Sequence, residues 1–382
     1  MTTTPLLIGV ALDGAGWHPA AWREPTAHPA ALFASRTWVE LARTADTGGL
    51  DFLTLEDVFA PAADGSAPVR LDATLLAARL APVTTAIGLL PSVAAQQTEP
   101  FHAAKAIATL DYAATGRAGV LVRASTSPAE YAHLGRRTGP APAAERYGEV
   151  ADYVEVLRRL WDSWEDDAEI RDAATGRFVD IDKLHYIDFA GPHFSVKGPS
   201  ITPRPPQGQP PVAVTVDASA LTDPTALRAA VRGADLVLAP AADVGEFGVA
   251  ADRIRASAPT PDQGPAIVAE IAVALDRPGD PADRRLARLD GRQSWSSPTA
   301  VVGGSADAVA DTIGRWQAAG ADGVRLRPAV LPDDLHAITD DLLPALRARG
   351  LTRPAENAAA TFRDRLGLAR PENRYATSGV SA

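Results

Sequence analysis

The side chains able to do chemistry fall in short loops, each directly after an apolar run of strand length. Strand then loop then helix is the local order that puts reactive groups at the carboxyl end of a parallel sheet. The loop DGAGWHPAAWREPTAHPA, residues 13–30, carries His18 between Trp17 and Trp22, with Arg23 beside them. That grouping offers an aromatic wall with a proton donor, unless the tryptophans only pack a long loop. Glu56 and Asp57 end the second apolar run and can position a polar group or cap a helix. Gln96, Gln97, Glu99 and His102 follow the third run, with His102 on the first turn of a helix, where a local bond to Glu99 is the plain alternative. Arg123, Ser125 and Thr126 follow the fourth. An arginine at a strand end must face solvent, a partner or an anion. Thr215, Asp217 and Ser219 follow the fifth, and Arg325 and Arg327 lie on the last. Thr126 and Ser219 are modest phosphate ligands by type. Gly303-Gly304-Ser305 opens a helix, where free N–H groups can meet an anion or serve an ordinary cap.

Several chemistries are excluded by what is missing. There is no cysteine, so thiolate nucleophiles, disulfides and cysteine-built zinc sites are out. No His-x-x-x-His or His-x-x-Glu-His spacing occurs, and no Gly-x-Ser-x-Gly elbow. The acidic run Trp164 to Glu169 reads as a solvated helix end rather than a metal site. No metal is expected. With so little hard chemistry of its own, an enzyme of this composition needs an organic cofactor.

The elements that must hold these groups alternate. Apolar runs at Pro5–Leu12, Leu50–Leu55, Thr84–Leu90, from Val120, Val212–Val216, Asp235–Leu238, Ala266–Ala274 and Gly323–Leu326 read as eight strands. Helical patterns at Arg36–Thr47, Asp72–Leu80, from Phe101, Pro142–Trp164, Pro224–Val231, Val244–Ser257, Asp280–Leu289, Ser305–Ala319 and Pro332–Arg349 separate nearly all of them. Residues 84–125 form the clearest strand–helix–strand unit, closed by Gly116-Arg117-Ala118-Gly119. Eight such units close most economically into a (β/α)8 barrel, which leaves no sheet edge exposed. A doubly wound open sheet is the alternative, but no Gly-x-Gly-x-x-Gly follows the first strand. The expected layout is one barrel over 1–350, interrupted by an Asp-, Gly- and Pro-rich insertion at 166–210 with one hairpin over the barrel's mouth or side. The tail 351–382 is expected to pack on the barrel, with a short helix near Ala358–Leu366. A net charge of −10 argues against a nucleic-acid partner. No run of about 18 apolar residues suggests a membrane span, and nothing resembles a signal peptide, so a cytoplasmic protein is expected.

Longer matches identify a family resemblance. Gly16-Trp17-His18-Pro19-Ala20-Ala21-Trp22-Arg23, Thr98 to His102, Leu110-Asp111 with Gly116 to Gly119, and Ala144-Glu145-Arg146-Tyr147 all take part. So do Trp161 to Asp167, Arg204-Pro205-Pro206-Gln207-Gly208, Asp322 to Pro328, and the tail Leu366 to Arg374. Together the chain resembles bacterial-luciferase-like flavin monooxygenases, nearest the nitrilotriacetate and dibenzothiophene-sulfone monooxygenase branch. The resemblance implies a luciferase-like barrel that uses reduced FMN and dioxygen on a small organic substrate. A separate NAD(P)H:flavin reductase would supply the flavin, and the assembly would be a homodimer or larger. It implies a flavin ring near Asp57, Ala95, Gln96, Leu121, Arg123 and Ser125, a phosphate near Ala218 and Ser219, and catalytic roles for His18, Tyr147 and His102.

The departures fall at cofactor positions. Leu121 stands for an asparagine, Ala124 for a threonine, Trp17 for a histidine, and Asp217 for a phosphate-binding glycine. A carboxylate there repels a phosphate, unless Arg123 swings inward to offset it. The segment between strand seven and Gly303, part of the family's active-site cover, is shorter here. Two further readings follow from these changes: a barrel that has lost flavin and serves as a non-catalytic partner, and a deazaflavin-dependent oxidoreductase.

Overall fold

The computed structural model describes residues 4–60, 70–134, 137–259, 264–353 and 361–376. Eight parallel strands close into a barrel: Leu7–Leu12, Phe52–Leu55, Gly88–Ala94, Val120–Arg123, Val212–Thr215, Leu236–Pro240, Ala266–Leu275 and Gly323–Pro328, numbered one to eight below. Strand one pairs with eight and two, and strands six and seven pair to complete the ring. A further strand, Ala300–Gly304, extends the sheet by pairing with the upper half of strand seven, Ile271–Leu275. The glycine pair expected only to open a helix therefore belongs to a strand, and Ser305 is an ordinary cap that accepts from the Ala308 N–H.

The third strand begins four residues later than its apolar run. Thr84 to Ile87 are held below the barrel instead. The Asp46 carboxylate accepts the N–H groups of Thr85, Ala86 and Ile87. The buried Arg117 guanidinium donates to Ala81, Thr84 and Ile87. The helices arise where the 3.6-residue pattern placed them, at Ser35–Gly48, Ala73–Leu80, Pro100–Ala113, Ala143–Asp162, Pro224–Val231, Val244–Ser257, Ala282–Asp290 and Ala306–Ala318. Asp72 caps its helix by accepting from Leu75 N–H. Two short helices, Pro128–Leu134 and Ala218–Thr222, escape the pattern because neither has two full turns of apolar repeat. The last long helix, from Asp333 to Ala348, carries a π segment at Ile338–Leu342.

The insertion holds two small hairpins, not one: Glu169–Asp172 with Arg177–Val179, and Phe189–Ala190 with Ser195–Val196. It lies along the outer flank of helix Ala143–Asp162. The Phe189 ring sits 5.5 Å from the Arg159 guanidinium, and His193 meets Arg137 at 3.2 Å. In the acidic run Asp166 and Asp167 are exposed, at 50% and 74% of their side chains, while the acid just before it is buried. Asp162, 1% exposed, accepts Arg204 Nε at 2.9 Å and Gln209 Nε2 at 2.6 Å. Arg204 also binds Asp166 and the Pro371 carbonyl, while Asn373 Nδ2 donates to the carbonyls of Asp162 and Trp164. Three of the sequence's most distinctive stretches thus meet in one node.

Below that node the tail closes the barrel floor. A capping box at Thr361 starts the short helix Phe362–Arg365; the first residues of its expected span lie outside the described residues. Phe362 stands 6.2 Å from Phe52, and a Cβ on Gly88 or Gly119 would strike its ring. It joins Leu7, Leu90, Leu121, Ala213, Leu236, Leu238 and Val268 in the barrel's interior cluster. Phe362→Ala leaves a cavity there and is expected to cost about 3–5 kcal/mol. Urea unfolding measures this, and a loss under 1 kcal/mol would show that the floor does not depend on the ring.

Candidate functional site

On a strand, side chains two residues apart share a face. Moving up from the apolar interior by two residues changes the character of five strands: Phe52 leads to Thr54, Leu90 to Ser92, Leu121 to Arg123, Ala213 to Thr215, and Val268 to Glu270. Leu121 itself belongs to the apolar layer, so the expected cofactor residue of strand four is a layer too low. The polar layer above it is the mouth.

Glu270 is the deepest charge there, fully buried and in register with Arg325. Its Oε1 accepts from Arg325 Nε at 2.8 Å, from Arg325 Nη2, and from Arg327 Nη2 at 2.6 Å. Arg325 Nη1 reaches on to Thr54 Oγ1 and Glu56 Oε1, at 2.9 and 2.6 Å. Burial alone would push the Glu270 carboxyl up. The charges of Arg325 and Arg327, with their hydrogen bonds, outweigh it and hold the group below the usual carboxylate range. Arg327 lies 4.1 Å over the Trp17 ring, a cation–π contact. Trp17 in turn donates its indole N–H to the Ala11 carbonyl.

Arg123 forms the second centre. It does not swing toward Asp217. Its η nitrogens meet Glu130 at 2.5 and 3.1 Å, and its Nε donates to the Asp57 carbonyl at 3.0 Å. Glu130 also accepts from the Ser125 hydroxyl and the Phe59 N–H. Burial raises the Glu130 pKa, but these donors more than offset it and leave it lowered. The Asp57 N–H donates to Ser92 Oγ at 2.7 Å, and burial pushes the Asp57 carboxyl up. Gln96 joins this centre to the next. Its Oε1 accepts from Ser125 N–H, and its Nε2 donates to the Arg146 carbonyl. Ala95 is buried, with its N–H on the Arg123 carbonyl.

In the third centre Asp217 has its partner, and it is Arg146. Both η nitrogens lie 3.2–3.3 Å from Asp217 Oδ2, and Nη2 is 2.8 Å from Ser219 Oγ. Asp217 Oδ1 accepts from Ser219 and caps the short helix at Ala220 N–H. Ala218 is the first residue of that helix. The Tyr147 hydroxyl donates to the Thr215 carbonyl and accepts from Asp217 N–H, and burial drives its pKa well up. That phenol is a brace, not a poised acid.

His18 is buried beneath Trp295, with ring centroids 5.1 Å apart. Its Nδ1 accepts from Ala20 N–H at 3.0 Å, which places the ring proton on Nε2, 3.3 Å from Asp290 Oδ1. Burial lowers its pKa more than Asp290 raises it, so the imidazole is neutral at pH 7. His102, by contrast, is exposed, with the Phe101 edge beside it. Glu99 caps Phe101 N–H, not the histidine. His102 joins none of the three centres.

Some of this was readable. Glu270 is the lone charge in a ten-residue apolar strand, and Ser127-Pro128-Ala129-Glu130 has capping-box spacing. Gln97 is 7% exposed, and neither atom of its amide has a hydrogen-bond partner. Glu270 Oε2 and Arg327 Nε are likewise buried and unpartnered. No group of three or more metal-ligating side chains occurs among the described residues.

A closed barrel with its polar groups at the carboxyl ends of the strands is the frame of a barrel enzyme. Residues 16–339 match the luciferase-like monooxygenase family, and the chain belongs to it. It is 30% identical to N-acetyl-S-(2-succino)cysteine monooxygenase of Bacillus subtilis and 30% identical to nitrilotriacetate monooxygenase component A of Aminobacter aminovorans. Each alignment covers 97% of this chain and 98% of the relative. The first alignment runs over 435 positions, more than the 382 residues here, so that relative carries segments this chain lacks. The crystal structure of a riboflavin lyase superposes with a TM-score of 0.84 at 23% identity, over 97% of both chains. Membership makes the protein a flavin-using oxidoreductase whose cofactor is FMN. The Gln97 amide and Arg327 Nε are buried polar groups without a protein partner, the kind a bound cofactor can satisfy.

Two outcomes test the electrostatics. Asp290→Asn removes a charge that favours imidazolium, so the His18 pKa falls further; ring-proton NMR through a pH series reads it, and a rise contradicts the assignment. Glu270→Gln leaves two buried arginines short of a counter-charge and is expected to cost about 3–5 kcal/mol in urea unfolding.

Proposed function

We propose that this chain is the oxygenase of a two-component system. A separate NAD(P)H:flavin reductase delivers reduced FMN, and one atom of dioxygen enters a small organic substrate. The observation that carries this reading is a prebuilt polar mouth above a dry barrel, holding buried donors and acceptors with no protein partner, on a chain that matches monooxygenases over nearly its whole length. The bound flavin would supply the oxygen-activating chemistry.

The chain's own residues do the rest. Gln97 and Arg327 Nε, which lack protein partners, would hydrogen-bond the cofactor. Trp17, under Arg327, and Trp295, tilted against His18, would exclude water from that end of the barrel. His18 holds a proton at Nε2, and Asp290, half exposed, links that proton to solvent. The name "component A" of the Aminobacter relative supports a partner protein as electron source. No helix among the described residues is long and apolar enough to cross a membrane, which agrees with work in the cytoplasm.

The test supplies NADH and an NADH:flavin reductase, and follows oxygen uptake with a panel of small sulfur-, nitrogen- and alkyl-containing substrates. Substrate-dependent uptake with an oxygenated product is expected. Flavin oxidation that stays uncoupled with every substrate, together with no binding of reduced flavin, would favour a non-catalytic barrel. His18→Asn is expected to lower kcat about 100-fold with flavin affinity unchanged.

A further inference from the structure

The barrel mouth carries its own counter-ions. Arg325 and Arg327 are closed by Glu270, Arg123 by Glu130, and Arg146 by Asp217. Arg70, at the rim, is closed by Asp13 with bonds of 2.6 and 2.7 Å. The segment 61–69, outside the described residues, contains no lysine or arginine by sequence, while 135–136, also outside them, contains Arg136. Arg70, Arg123, Arg146, Arg325 and Arg327 are therefore each already matched to a carboxylate, whereas Arg23, exposed in the loop after strand one, lies 5.0 Å over the Trp22 ring.

The Arg146 centre goes further than neutrality. A phosphate is typically held by a forked guanidinium, a hydroxyl and backbone N–H groups. Here the Asp217 carboxylate takes that same set: both Arg146 η nitrogens, the Ser219 hydroxyl and the Ala220 N–H. A second anion cannot enter without displacing the first, because two negative groups would share one guanidinium. The Arg146 side chain is 7% exposed and the Asp217 side chain 31%, so solvent screens the conflict from the carboxylate side only.

We infer that Asp217 stands in for the cofactor's phosphate, so that the pocket recognises flavin by its ring and sugar-alcohol chain and takes riboflavin as well as FMN. This inference rests on the flavin-dependent reading above. It makes Asp217 a specificity-determining residue and leaves the oxygen chemistry untouched.

The experiment titrates the full-length protein with FMN and with riboflavin, each oxidised and dithionite-reduced, by flavin fluorescence and calorimetry. Asp217→Asn and Asp217→Ser are titrated in parallel. Both keep a side chain able to cap the Ala218–Thr222 helix, and circular dichroism confirms folding. The wild-type protein is expected to bind the two flavins within about fivefold of each other. Both variants are expected to gain about tenfold for FMN and little for riboflavin, as Arg146 becomes free for the phosphate. A wild-type preference for FMN above fivefold, or FMN affinity unmoved in both variants, overturns the inference while the flavin reading stands. Failure of all three proteins to bind either flavin at high micromolar concentration overturns both.

Discussion

The structure depends on keeping one carboxylate charged inside a closed barrel. Glu270 has no solvent to stabilise it, and an isolated buried carboxylate would sooner take a proton than remain ionised. Two arginines on the neighbouring strand prevent that. Arg325 then crosses over strand one to reach Thr54 and Glu56 of strand two. Strand one permits the crossing because its inward residues are small. Gly9 lies in register with Arg325 on one side and Phe52 on the other, and a Cβ there would enter the Phe52 ring. Ala11 follows on the same face. Strands seven, eight, one and two are thus fixed relative to each other by one ionic cluster and the gap made for it.

That cluster also marks where stability gives way to function. Beneath it the barrel is filled by aliphatic side chains and plugged by Phe362, an arrangement worth a few kcal/mol per side chain and of no chemical use. Above it the strand ends carry polar side chains, and Arg123, Arg146, Arg325 and Arg327 are each paired with a carboxylate. The family's signature stretches divide along the same line. Trp161 to Asp167, Arg204 to Gly208 and the Asn373 tail look like functional motifs because they are so specific, yet they converge on Asp162 and bind insertion to tail. Asp111 behaves the same way. Burial pushes its carboxyl up to about 6, and it accepts from Gln207 and Ala118, tying helix Pro100–Ala113 to the same loop.

Period and punctuation made the eight strands and long helices legible, because those signals are local. The shift of strand three was not, since it depends on Asp46 and Arg117 taking hold of Thr84 to Ile87 from elsewhere in the chain. The same contrast governs the site. Arg123, Ser125, Asp217 and Ser219 could be placed at strand ends by counting. Their partners could not, because Arg146 meets Asp217 across 71 residues and Arg325 meets Glu270 across 55. Tyr147 carries an acid's functional group but uses its hydroxyl on two backbone atoms, which residue type alone does not reveal.

Internal pairing limits how this mouth can select a ligand. With the arginines already matched to carboxylates, net charge attracts neither an anion nor a cation strongly, so recognition falls to shape and to the few polar atoms left over. Gln97 Oε1 and Nε2, Glu270 Oε2, Arg327 Nε and Trp22 Nε1 are among those atoms. Each buried group without a partner costs roughly 1–3 kcal/mol, and the mouth holds at least these. A ligand that presents complementary donors and acceptors along one edge would recover that cost on binding. A flat heteroaromatic ring with alternating carbonyl and N–H groups meets that requirement through its edge alone, whatever its tail carries.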